Sequence, residues 1–213
     1  MRNFWRTHTW PESERRLHLL VVFGGDKKVR DCYKEHVPLL GQYRHLLDIV
    51  PPEWLHMTVQ SLCPITSAAA EELDELVRAV RDEVLEVTPP IVQLGPARTD
   101  GGAVTWAVYP ETGLVDIHAR VRKASLETLG NERVSDQRNR WWPHVTLAYG
   151  AVDEPADDLD AALARAGLPR VGATISELAL VDQEQDLGDR EYRWREIATV
   201  PIGPLPASTA PRP

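Results

Sequence analysis

Two short runs in the chain carry side chains that can move protons and hold a phosphate. His56-Met57-Thr58-Val59 and, 88 positions later, His144-Val145-Thr146-Leu147 repeat one pattern, His-x-Thr followed by an apolar residue. An imidazole titrates near pH 6.5, so two of them facing one cleft can act as base and acid in opening a phosphodiester. A threonine hydroxyl two residues along can donate a hydrogen bond to a nonbridging phosphate oxygen as negative charge builds there. Such a pair needs no metal to activate its nucleophile. His8, His18, His36, His45 and His118 stand outside the pattern and read as surface or core residues.

This chemistry needs rigid supports, and both runs read as strands, Trp54 to Leu62 and Pro143 to Tyr149. Side chains alternate between the faces of a strand, so each His shares a face with its Thr while Met57, Val59, Val145 and Leu147 point into a core. By the same alternation Gln60 joins His56 and Thr58 as a pocket residue. An apolar run from Leu17 to Phe23 before Gly24-Gly25 reads as a buried first strand. Residues 26 to 43 read as a helix that Pro38 and Gly41 argue against continuing unbroken. Leu46 to Val50 is a short strand.

Ala68 to Val87 has the spacing of an amphipathic helix, with Thr66 or Ser67 available as its cap. Ile91 to Pro96 and Ala103 to Tyr109 flank a turn signal, Asp100-Gly101-Gly102. Helices follow over Leu114 to Leu129 and Ala156 to Ala166, and final strands near Thr174 to Val181 and Tyr192 to Val200. Strands with interspersed helices favour an α+β architecture with largely antiparallel sheets, and no tandem repeat of 20 to 50 residues suggests a solenoid.

The paired motifs resemble those of the 2H phosphoesterase superfamily, which includes 2′-5′ RNA ligase-like proteins and RNA 2′,3′-cyclic phosphodiesterases. Trp54-Leu55 before the first His, Pro143 before the second, the first strand and the helix after the first motif fit that layout. The resemblance implies two pseudo-symmetric lobes around a central cleft, with residues 1–200 as one bilobal domain, while the proline content of residues 201–213 reads as a loose tail. It maps His56, Thr58, His144 and Thr146 onto the catalytic positions and leaves open which His is the acid. Some members carry a basic residue after the second motif where this chain has Ala148-Tyr149-Gly150. Tyr149 can replace it as a phosphate donor or serve as a core tyrosine.

Trp54, Trp141 and Trp142 lie beside the motifs and can either stack on a base or pack around the cleft. Arg133, Arg138 and Arg140 precede the second motif and can approach a phosphate or face solvent. Phe4, Trp5 and Trp10 precede the first strand and can cover one lobe. The implied activity is hydrolysis of a 2′,3′-cyclic phosphate on a nucleotide or RNA end. Alternatives are a 2′-5′ linked oligonucleotide or an ADP-ribose cyclic phosphate as substrate, or a noncatalytic module that binds nucleotides or RNA ends.

A formal charge of −8, from 32 acidic against 24 basic residues, opposes binding to duplex DNA but permits a small phosphodiester in a local cleft. Two cysteines, Cys32 and Cys63, in no metal-ligand spacing indicate neither a disulfide framework nor a zinc site, and no cofactor is expected. The longest apolar run is too short for a membrane span. These features lead to the expectation of a cytoplasmic monomer.

Overall fold

The computed structural model describes residues 1–136 and 141–204. Its first sheet is built on β1 (Arg15–Val22), which pairs antiparallel with β3 (His56–Pro64) on one side and β8 (Glu177–Asp186) on the other. β8 in turn pairs with β9 (Glu191–Pro201), so the order is β3-β1-β8-β9. Leu17, Leu19 and Val21 of β1 enter the main core, while Leu20 packs on the opposite face with Ala179, Val181 and Trp194. That opposite face therefore also receives Arg16 and His18.

The second sheet has the order β2-β6-β5-β4-β7, again with every pairing antiparallel. Its strands are β2 (Leu47–Ile49), β6 (His144–Gly150), β5 (Ala103–Tyr109), β4 (Ile91–Asp100) and β7 (Val171–Thr174). α3 (Ala70–Val84) and α4 (Thr112–Leu129) pack together and cover the first sheet, while α2 (Lys27–Gly41) and α5 (Asp157–Arg165) lie against the second. The two lobes are not the two halves of the chain. Each is interleaved, with β1, β3, β8 and β9 in one and β2, β4, β5, β6 and β7 in the other, and each contributes one motif strand.

Local differences from the sequence reading have physical causes. α2 continues through Pro38, whose missing N–H falls near the helix end and costs one bond there rather than the helix. β4 runs on to Asp100 because Pro96 sits in an irregularity between Leu94 and Ala97, where no ladder bond is needed from it. β7 is an additional short strand, and the strand expected from Thr174 lies at Glu177–Asp186.

Thr66 and Ser67 fall in a 3-10 turn and do not cap α3; the Glu72 carboxylate accepts from the Ala69 N–H at 3.0 Å instead. Residues 201–203, which the composition reads as the start of a loose tail, are held in place. Pro201 belongs to β9, the Ile202 N–H donates to Ser176 O and the Gly203 N–H to Val84 O. Residues 205–213 lie outside the described residues. No helix among the described residues is long and apolar enough to cross a membrane.

Candidate active site

β3 at the edge of the first sheet faces β6 of the second, and the two motifs meet across a cleft of about 370 Å³. His56, Thr58, His144 and Thr146 all line it and all are half-buried. Their neighbours Met57, Val59, Val145 and Leu147 are buried in the core. The alternation inferred from the sequence therefore holds through each His-x-Thr.

It then breaks at the same place in both strands. Leu19 of β1 pairs with Gln60 and Leu20 with Thr58, so Val59 is an extra residue in β3. Val104 of β5 pairs with Ala148 and Thr105 with Thr146, so Leu147 is an extra residue in β6. A bulge of this kind shifts the phase of alternation by one. The third cleft-facing residue of each strand is consequently Ser61 and Tyr149, five positions after the histidine.

Gln60, expected on the cleft face, is carried to the other side. It is 0% exposed, and its Nε2 donates to the carbonyls of Ser61 at 2.8 Å and Ser135 at 3.0 Å. Tyr149 lines the cleft as expected of a phosphate donor, yet it is only 5% exposed. It packs on Phe4 and Trp5. Its ring is part of the core and its edge part of the cleft wall. Burial pushes its hydroxyl pKa up, so it stays protonated.

Both histidines are held in one tautomer by the same device. The Nδ1 of His56 lies 2.8 Å from the Trp54 carbonyl, and the Nδ1 of His144 lies 3.0 Å from the Trp142 carbonyl. A carbonyl only accepts, so in the neutral ring Nδ1 carries the proton and Nε2 has the free lone pair. Burial pushes the His56 pKa down to about 4, against the pull of the Trp54 carbonyl, with a further contribution from His144. Burial lowers His144 as well, again opposed by its carbonyl partner.

The tryptophans act as supports. Trp54 packs edge-on against Trp194, whose ring also meets His56 at 5.0 Å. Trp142 stacks on His144 at 4.1 Å, with the Arg98 guanidinium 5.3 Å from its centre. Both pack beside the motif histidines and stand outside the residues that line the cleft. Trp141 donates its indole N–H to Thr58 O at 3.0 Å, and His118, stacked on Trp141, has its Nδ1 2.8 Å from Val59 O. Together they occupy the backbone carbonyls at the β3 bulge.

Arg133 is not a phosphate ligand. Its guanidinium makes a two-pronged ion pair with Glu72 and also donates to Leu129 O and Ser67 O, bracing the turn before α3. Arg138 and Arg140 lie outside the described residues. Sequence reasoning missed His18, which β1 places on the cleft face and burial pushes down to about 4. It also missed His8, Trp10, Arg16, Gln183 and Tyr192, which complete the cleft wall. Only the alternation of β1 could have located His18 and Arg16; the others come from distant segments.

Two imidazoles whose Nε2 atoms have no partner among the described residues, each beside a threonine hydroxyl in a confined polar cleft, form a set suited to phosphoester chemistry. The family model for the 2′-5′ RNA ligase superfamily matches residues 34–187, a span that includes both motifs. The chain belongs to the 2′-5′ RNA ligase superfamily. No curated protein matches it in sequence.

Among solved structures, TT0787 of Thermus thermophilus superposes with a TM-score of 0.67 at 20% identity, covering 88% of this chain and 97% of that one. Escherichia coli LigT complexed with NADP+ gives 0.63 at 14% identity, covering 89% and 99%. The MHV ns2 PDE domain gives 0.56 at 10% identity, covering 85% and 99%. These likenesses establish a shared 2H phosphoesterase fold of two antiparallel sheets flanked by helices, as the motifs implied. Superfamily membership supports a phosphoester-acting enzyme.

Proposed function

We propose that this protein is a metal-independent phosphodiesterase that opens a 2′,3′-cyclic phosphate on a nucleotide or an RNA end, with His56 and His144 as its acid and base. The observation that carries this reading is the matched pair of Nδ1 contacts to backbone carbonyls, which leaves an Nε2 available on each ring. One neutral imidazole takes a proton from the attacking water as the new P–O bond forms. The other, protonated, gives its proton to the ribose oxygen as the P–O bond to the 2′ or 3′ position breaks, and a phosphate monoester results. Thr58 and Thr146 donate to the nonbridging oxygens, whose charge grows in the transition state.

Nucleotide-shaped ligands are compatible with this fold elsewhere. Escherichia coli LigT has been solved with 3′-AMP, with ATP and with NADP+. The test is direct: His56→Ala and His144→Ala should each reduce turnover of a nucleoside 2′,3′-cyclic phosphate by at least 10²-fold, the range in which a lost acid or base is felt. Chelators should leave the wild-type rate unchanged. Full turnover retained by both single variants would refute the assignment, and binding without hydrolysis by pure wild-type protein would favour a noncatalytic module.

A further inference from the structure

His56 and His144 stand on different sheets, and among the described residues no strand pairing joins the two. β3 faces β6 without a ladder between them, so the spacing of the two imidazoles is set by side-chain packing and by whatever bridges the lobes. At the Tyr149 end of the cleft that bridge is a segment outside the span matched by the family model, the N-terminal arm of residues 1–10. It carries a short helix, α1 (Phe4–Thr7), and crosses from the second lobe to the first.

The arm is fastened on both sides. On the second lobe the Arg2 N–H donates to Gly101 O at 2.8 Å, Asn3 Nδ2 donates to Ala151 O at 2.7 Å, and Arg6 pairs with Asp153 at 2.6 Å. Gly150 of β6 makes room for the passage, since a Cβ there would collide with the Arg2 carbonyl. On the first lobe the Gln185 amide grips it twice, accepting from the Trp10 N–H at 2.8 Å and donating to the His8 carbonyl at 2.9 Å. Between these anchors Phe4 and Trp5 are wedged between Tyr149 of β6 and Tyr192 of β9, with ring centres 4.5 to 6.2 Å apart.

Asp48 completes the junction. It lies on β2 directly opposite Tyr149, and its Oδ2 accepts from the Trp5 indole at 2.9 Å and from Arg190, in the turn between β8 and β9, at 3.4 Å. One carboxylate of the second lobe therefore holds the arm and the first lobe together. The Arg190 contact is long and partly exposed and adds little by itself. Trp5 is buried, so its indole is the main link.

We propose that the arm is an interlobe strap and that Asp48 is a positioning residue, acting through Trp5, Tyr149 and Tyr192 to hold His56 and His144 at the spacing their shared reaction needs. The kinetic consequence rests on the two-histidine reaction proposed above, whereas the strap concerns the lobes alone. Misplacement of reacting groups by about 1 Å can cost about 10²-fold in rate, so slack between the lobes acts on turnover while each sheet keeps its own hydrogen bonds.

The test measures turnover and interlobe distance on the full chain. Asp48→Ala frees both partners, and Gly150→Ala unseats the arm at its backbone. Each should lower kcat for a nucleoside 2′,3′-cyclic phosphate by at least about tenfold, with a much smaller change in KM. Asp48→Asn keeps an acceptor for the Trp5 indole and should recover most of the loss. Asp48 is partly exposed, so none of its variants opens the core.

Spin labels on Glu35→Cys of α2 and Glu75→Cys of α3, exposed positions on opposite lobes, report the distance by pulsed electron paramagnetic resonance, with the native Cys32 and Cys63 buried. A narrow distribution in the labelled parent should broaden in Asp48→Ala and Gly150→Ala and narrow again in Asp48→Asn. Distances unchanged in both, or broadened distances with kcat intact, would overturn the strap as a positioning device and leave the proposed reaction standing. Broadening in the variants of a protein that hydrolyses no cyclic phosphate would support the strap and sink the reaction. Unchanged distances without any turnover would overturn both.

Discussion

Substrate binding should move the pH optimum of this enzyme upward, because the same burial that confines the cleft discourages charge on its histidines. His56 is pushed from about 6.5 to about 4 in the ligand-free protein, which corresponds to about 3 kcal/mol against the imidazolium. His144 is lowered by the same cause. At pH 7 both rings are then neutral in the free enzyme, and a pair with no proton to give cannot protonate a leaving oxygen.

A phosphodiester changes that balance, since it remains a monoanion across this range. At about 4 Å from an imidazolium, in surroundings with an effective dielectric near 20, it contributes about 4 kcal/mol, roughly three pH units. The burial effect is offset, and one proton shared by the pair becomes stable near neutrality. The profile of kcat/KM, which reports the free enzyme, should therefore lie at least one unit to the acid side of the profile of kcat, which reports the complex. Both limbs belong to the coupled pair and not to either residue alone. The assay is steady-state hydrolysis of a nucleoside 2′,3′-cyclic phosphate from pH 4.5 to 9, with circular dichroism at each pH to verify folding. Coincident profiles, or an alkaline limb of kcat/KM at or above that of kcat, would refute the reasoning.

Two further outcomes concern stability and positioning. Burial also depresses His18 to about 4, so the unfolded chain binds this proton more readily between pH 6.5 and 4, and stability should fall by about 3 kcal/mol as pH drops through that window. Urea titrations of His18→Gln should show a pH slope smaller by one proton, and an unchanged slope would contradict the assignment. Trp141→Phe removes the donor to Thr58 O and should cost about 1 kcal/mol of stability while lowering kcat more than it raises KM. A variant that loses stability with kcat intact would show that the indole supports the fold without positioning the motif.

Much of the site was legible because a strand has a fixed period. His56 with Thr58 and His144 with Thr146 share a face by that rule, and the apolar residues between them are buried as it requires. Gln60 was misplaced by the same rule, since a bulge depends on pairing with β1, which the local pattern of β3 does not encode. Arg133 was ambiguous for a related reason. Its partner Glu72 lies 61 residues away in sequence and becomes a neighbour only when the turn before α3 folds against the residues after α4.

From the chain alone came the two His-x-Thr pairs, their strand supports and the antiparallel α+β class, set by local spacing and composition, and the superfamily by the resemblance of the paired motifs. The tertiary structure decided which tautomer each histidine holds, since Trp54 and Trp142 carbonyls reach Nδ1 only in the folded turns. It also decided the third residue of each motif face, Ser61 and Tyr149, through the paired bulges. Interleaving of the lobes brought His18 and Gln183 to the cleft, and the arm added Trp10 beside them. Proton chemistry is written in short runs of sequence because it needs two atoms on one strand face. The cleft walls around those residues are assembled from segments far apart in the chain, and only packing brings them together.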